Sequence, residues 1–331
     1  MPTCARAVTR RDAMDAGPFF AHWAAVERCP AAGKHKGSGR AAMTQRSGAA
    51  LPLLATAGAM AAFQFGASLA KGLFPAIGPQ GAATLRLCLG GAMLMILTRP
   101  WRRWPAKAPL APLFGLGAAM AATILLFYLA VERLPLAVAI ALQFLGPLAV
   151  AVLGTRRLID LVWAALAAAG VWSLVAPGLS PSRVDPTGVA FALAAAAGWA
   201  CYILLGRSAG AAFGGATAAL SVSIAGLLIL PVGVAHAGGA LLSPDLLPLA
   251  MGVALLSAAI PFSLELYALP RLPARTFAVF TSLEPAFGVV AGFLILGEVL
   301  AGTQIAGVAM VMTAAAGAAW RARQAAPAPP A

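Results

Sequence analysis

Between residues 51 and 320 the chain is a nearly unbroken series of apolar segments, each close to the length an α-helix needs to cross a bilayer. A spanning helix takes about 20 mainly apolar residues. The segments 51–70, 81–98, 110–131, 136–155, 161–177, 187–206, 216–235, 246–269, 276–296 and 302–320 meet or approach that length, so the sequence predicts ten spans. Hydrocarbon offers no partner to a backbone N–H or C=O, and segments this long satisfy their own only as helices. The expected fold class is therefore all-α integral membrane. A composition of 61% hydrophobic and 10% charged residues, with a mean hydropathy of +0.88, excludes an ordinary water-soluble domain.

The net charge of +13 would suit a nucleic-acid binder, but the 23 basic residues sort by position along the chain. If the N-terminus is cytoplasmic, nineteen of them fall on the cytoplasmic side, among them Arg6, Arg40, Arg99, Arg102, Arg103, Lys107, Arg156, Arg157, Arg207, Arg271, Arg275, Arg321 and Arg323. Only Lys71, Arg133 and Arg183 fall opposite, and Arg86 lies inside a span. This is the positive-inside pattern, and it places both termini in the cytoplasm. The basic excess is a topology signal, and no nucleic-acid partner is expected.

Residues 1–48 are basic and Gly/Ala-rich with one short apolar patch at 17–26, and read as a disordered extension or as sequence ahead of a start at Met43. Residues 321–331 read as a disordered tail. Cys4, Cys29, Cys88 and Cys201 have neither paired nor metal-like spacing.

The spans between these ends repeat. Arg133-Leu134-Pro135 ends the third predicted span and Pro147 follows twelve positions after Pro135; Arg271-Leu272-Pro273 ends the eighth and Pro285 follows twelve after Pro273. Both pairs share an offset of 138, and Gly91 corresponds to Gly226 in spans two and seven. Units 49–178 and 179–320 then hold five spans each. An odd number forces the second unit to enter from the opposite face, giving two inverted repeats, the arrangement by which many carriers alternate access to a site near the midplane.

Ionisable groups inside the bilayer are costly, about 2.5–3.5 kcal/mol at a helix centre on insertion scales, so each is a candidate site residue. Glu284 lies about ten residues, roughly 15 Å, into its span, and Arg86 roughly 9 Å into its own. Either they form a structural ion pair, or Glu284 exchanges a proton as a cavity opens, since desolvation disfavours a charged carboxyl group. Glu265, towards the cytoplasmic end of its span, is either a second group for substrate contact or proton coupling or an interfacial charge that snorkels to water, while Glu132 and Glu298 read as boundary charges. Gln64, Tyr128, Gln143, Trp199, Tyr202 and Ser282 supply neutral polar or aromatic groups for a substrate cavity. Pro147, Pro261 and Pro285 read as mid-helix kinks that release carbonyls.

Several stretches resemble the ten-span drug/metabolite transporter superfamily (EamA type) and, within it, the inner-membrane threonine and homoserine exporters. They are Phe65-Gly66-Ala67-Ser68-Leu69-Ala70-Lys71, Leu85-Arg86-Leu87, Gly146-Pro147-Leu148-Ala149-Val150, and the run from Arg271 to Glu284-Pro285-Ala286 and Leu296-Gly297-Glu298. The resemblance implies export of small hydrophilic amino acids by proton antiport across a bacterial inner membrane, with Arg86, Glu265 and Glu284 at charged positions of the family pattern. At Gln143 the chain departs from that pattern, where the exporters carry a glutamate. A broader exporter of aromatic amino acids or amphipathic drugs is the alternative, and a non-transporting membrane subunit a more distant one; homodimerisation is left open.

An enzyme is not expected. His22 and His35 lie in the N-terminal extension and His236 at a span end, so no membrane histidine pair or metal cluster forms. No GxxxxGK[ST] phosphate loop appears, which excludes an ATP-driven pump in this chain, and no cofactor is implied.

Overall fold

The computed structural model describes residues 41–103, 109–155, 160–175, 185–268, 272 and 280–322. Within these the chain is helical, with no strand among the described residues. The helices are α1 (Ala41–Lys71), α2 (Phe74–Thr98), α3 (Ala111–Arg133), α4 (Leu136–Gln143), α5 (Leu145–Thr155), α6 (Asp160–Val175), α7 (Pro186–Phe213), α8 (Thr217–Ala237), α9 (Leu247–Ala254), α10 (Ile260–Ala268), α11 (Glu284–Leu296) and α12 (Gly302–Ala322). Five stretches are long and apolar enough to cross a membrane: Leu51–Lys71, Phe74–Thr98, Ala111–Arg133, Pro186–Leu242 and Leu247–Glu265. Shorter apolar helical stretches follow at Leu136–Val150, Leu161–Val175, Glu284–Leu296 and Gly302–Ala318. The chain is an all-helical protein with several membrane-spanning helices.

Its surface is that of a molecule whose solvent is hydrocarbon. Ile96, Leu153, Trp172, Leu227, Phe293 and Leu294 are each more than half exposed. The interior interleaves leucine, isoleucine and valine with many alanines and glycines, and the small residues let helix backbones approach closely where lipid offers no hydrophobic driving force. α2 packs on α8, α3 on α7, α1 on α10 and α11, and α6 on α12. At the α2–α8 crossing a Cβ on Gly226 would stand 3.1 Å from the Leu87 and Cys88 backbone, and one on Gly91 would stand 3.0 Å from Ser223 Cα.

Three predicted kinks take a different form. The stretch 136–155 is broken at Phe144, so Pro147 sits in the first turn of α5. The described part of 276–296 is broken at Ser282–Leu283, so Pro285 also sits in a first turn, that of α11. Proline suits a first turn, where its missing N–H has no intrahelical partner to lose. The chain therefore ends one helix and begins another instead of bending a single one. Pro261 follows a π-helical turn, Leu255–Ala259, between α9 and α10. Because Pro261 cannot donate to the Ser257 carbonyl, the winding loosens just ahead of it.

The first helix begins at Ala41, upstream of the expected boundary at 48, because an alanine-rich approach favours helix. Likewise α2 starts at Phe74, not 81, and turns at Gly78, whose φ of +66° is a glycine conformation. The expectations for residues 1–40, 323–331 and the loop around 271–279 fall outside the described residues.

Candidate functional site

Six of the candidate side chains, carried by six helices, lie within hydrogen-bonding or electrostatic range of a neighbour in the set: Gln64 on α1, Arg86 on α2, Tyr128 on α3, Tyr202 on α7, Glu265 on α10 and Glu284 on α11. Gln64 Nε2 donates to Glu284 Oε1 at 2.7 Å. Arg86 Nη1 donates to the Tyr128 hydroxyl at 3.1 Å, and its guanidinium carbon lies 5.5 Å from the Tyr128 ring centroid. Glu265 is within electrostatic range of Glu284 and of Tyr202, and Arg86 is within that of Glu284. Gln64 and Tyr128 are buried, 4% and 0% exposed, so this polar cluster stands in a low-dielectric surrounding that strengthens every charge interaction within it.

The helix break at Ser282–Leu283 positions the Glu284 carboxylate. It makes Glu284 a first-turn residue of α11, where unpaired N–H groups and the helix dipole favour negative charge. An unbroken helix would place it mid-helix without that support.

Arg86 and Glu284 make no direct ion pair, contrary to the structural-bridge alternative. Tyr128 accepts one guanidinium N–H and Gln64 donates to one carboxylate oxygen, while Arg86 and Glu284 stay within electrostatic range of each other. A zwitterion is the chemical complement of that arrangement: its carboxylate matches the guanidinium, its ammonium the glutamates.

Three candidates lie at the helix breaks instead. Gln143 is the buried last residue of α4, Trp199 packs edge-on against Phe144 at 5.2 Å, and Ser282 is buried in the turn before α11. Ser68, one turn beyond Gln64 on α1, escaped the reading by residue type because serine is ordinary in such helices. Glu298 is more than a boundary charge: Oε1 pairs with Lys71 Nζ at 2.9 Å and Oε2 accepts the Leu136 N–H at 2.7 Å.

At this same end of the bundle a cavity of about 470 Å³ opens, lined by Phe74, Gln80, Glu132, Arg133 and His236 among others. Phe74 forms part of its wall and also packs against Tyr128 at 5.6 Å, so one ring lies between the cavity and the Arg86–Tyr128 pair. No group of three or more metal-binding side chains occurs among the described residues.

Residues 186–320 match the model of the EamA-like transporter family. Over 267 residues the chain is 46% identical to the threonine/homoserine exporter RhtA of Salmonella typhimurium (strain LT2) and to that of Escherichia coli (strain K12), covering 81% of this chain and 90% of each relative. The chain belongs to the EamA-like transporter family. These relatives are exporters, not enzymes. A solved crystal structure shares the fold at a TM-score of 0.53 and 17% identity, over 84% of this chain and 98% of that one.

Proposed function

We propose that this chain exports small hydrophilic amino acids of the threonine and homoserine kind across a bacterial inner membrane, in exchange for protons. The identity of 46% to proteins named as such exporters carries the reading. The site supplies a route to it. The substrate carboxylate binds Arg86 and its ammonium binds Glu284 or Glu265, and an entering proton then competes for the same glutamates and releases the amino acid.

Ten crossings in two inverted five-helix units, with both termini cytoplasmic, complete the proposal. The 57-residue stretch Pro186–Leu242 holds two helices, α7 and α8, and α4–α5 and α9–α10 each act as one interrupted span. The breaks support the repeat: Phe144 and Ser282 are 138 positions apart, the offset of the proline pairs. The packing is reciprocal as well. Exchanging the units maps α1 on α10 onto α7 on α3, and α1 on α11 onto α7 on α5, and both members of each pair are in contact. At the α2–α8 crossing, Gly91 against Ser223 and Gly226 against Cys88 exchange under an offset of 135.

The test is uptake of labelled threonine and homoserine into proteoliposomes under an imposed pH gradient. Wild-type protein is expected to accumulate both above equilibrium, and Glu284→Gln to lose that coupling while still binding substrate. Full coupling in the variant would remove Glu284 from the proton path. No accumulation of either amino acid by folded wild type would redirect the reading to aromatic amino acids or amphipathic drugs.

A further inference from the structure

Many helical serines and threonines among the described residues satisfy themselves, Ser223 on α8 being one that does not. Thr56, Thr123, Ser257 and Thr313, among others, each donate to the carbonyl four residues earlier. Ser68 does not, although it is only 1% exposed: its Oγ is buried and has no partner. One turn earlier on the same helix, Gln64 Oε1 is in the same condition, while its Nε2 is committed to Glu284. With Glu284 ionised, that commitment assigns the amide orientation, because a carboxylate oxygen can only accept. Of the buried side-chain atoms without a partner among the described residues, these two alone share an element and a helix face.

A buried polar atom without a partner is destabilising, and a site that retains two of them side by side is built for a ligand that supplies the missing bonds. We infer that Gln64 Oε1 and Ser68 Oγ form a subsite that reads the side-chain hydroxyl of the transported amino acid. The inference rests on the amino-acid reading above and makes it specific to hydroxylated substrates. A hydroxyl is the matching group, since it donates to the Gln64 oxygen and accepts from the Ser68 O–H. The subsite adjoins the ammonium position because Gln64 itself holds Glu284. Residues i and i+4 share one helix face, about 6 Å apart along the axis.

The test exploits a shared control: removing the hydroxyl from either amino acid gives 2-aminobutyrate. In proteoliposomes, wild type is expected to carry threonine and homoserine at least about tenfold better than 2-aminobutyrate in kcat/KM, and Ser68→Ala to bring the ratio within about threefold by loss of the hydroxylated substrates alone. Ser68→Cys, which keeps the size but donates weakly, should fall between the two. A retained preference in Ser68→Ala overturns the inference, as does an equal loss on all three compounds, the mark of a structural or water-binding role. Should the variants fail to fold, wild type still decides: transport of threonine with no preference over 2-aminobutyrate overturns the hydroxyl subsite while leaving the exporter intact. Transport of none of the three overturns the amino-acid reading and the subsite with it.

Discussion

A guanidinium has five N–H donors, and Arg86 spends one of them on the Tyr128 hydroxyl. The bond fixes the plane of the group, leaving a two-donor edge to meet a carboxylate, which lysine cannot reproduce. Arg86→Lys keeps the charge and loses the fork, so KM for threonine is expected to rise about 10- to 100-fold, the equivalent of one charge-assisted hydrogen bond. Tyr128→Phe removes only the positioning bond and should raise KM by about fivefold. Initial-rate measurements on both variants check this, and an Arg86→Lys KM equal to wild type would take substrate binding away from Arg86. Arg86, Glu265 and Glu284 stood out in the sequence because a charge within an apolar segment is costly, although an ion pair or a snorkelling side chain also accounts for one. Ser68 did not, since what distinguishes it is a bond left unmade, which depends on its rotamer and neighbours and not on its residue type.

At the scale of elements, close packing decides which glycines can change. Gly226 faces the backbone of α2, which cannot move aside as a side-chain tip can, whereas an added Cβ on Gly210 of α7 meets nothing within 4 Å. The same substitution should therefore act with opposite signs. Gly210→Ala gains helix propensity of up to about 1 kcal/mol, while Gly226→Ala must wedge α2 from α8 at a cost of about 1–3 kcal/mol. Thermal melting of the purified proteins in detergent is expected to show Gly226→Ala below wild type and Gly210→Ala at or above it; the reverse order would mean that the α2–α8 contact is not a rigid crossing. The all-helical, membrane-spanning character was legible here from apolar length, while helix starts such as those of α1 and α2 were not. The breaks were misplaced by three residues, at Pro147 and Pro285 instead of Phe144 and Ser282. Proline marks the start of the new helix, and where the old one ends depends on how its freed carbonyls are accommodated.

Across the whole molecule, the end that carries the 470 Å³ cavity is also the end where charges tie elements distant in sequence. Lys71 closes α1, Glu298 follows α11, and the Leu136 N–H that Glu298 accepts opens α4, so one carboxylate joins three helices. Any rocking that opens this end must break the tie. The Lys71 and Glu298 side chains are 28% and 15% exposed, which limits the ion pair itself to about 1 kcal/mol, but a bias of that size shifts a two-state population about fivefold. Leu73, fully buried just beyond Lys71, is a suitable reporter. In a protein whose native cysteines are replaced, Leu73→Cys should react with an impermeant thiol reagent several-fold faster once Lys71→Met is added. Lys71→Glu should open this end further, since it sets two carboxylates together. Adding Glu298→Lys to that variant restores an ion pair but not the bond to Leu136, because an ammonium cannot accept an N–H. Labelling in the exchanged protein is therefore expected to fall between wild type and Lys71→Glu. A return to the wild-type rate would assign the closure to the ion pair alone, and equal rates in all four proteins would mean that this end is held shut by helix packing, with the charges marking only where the bundle meets water.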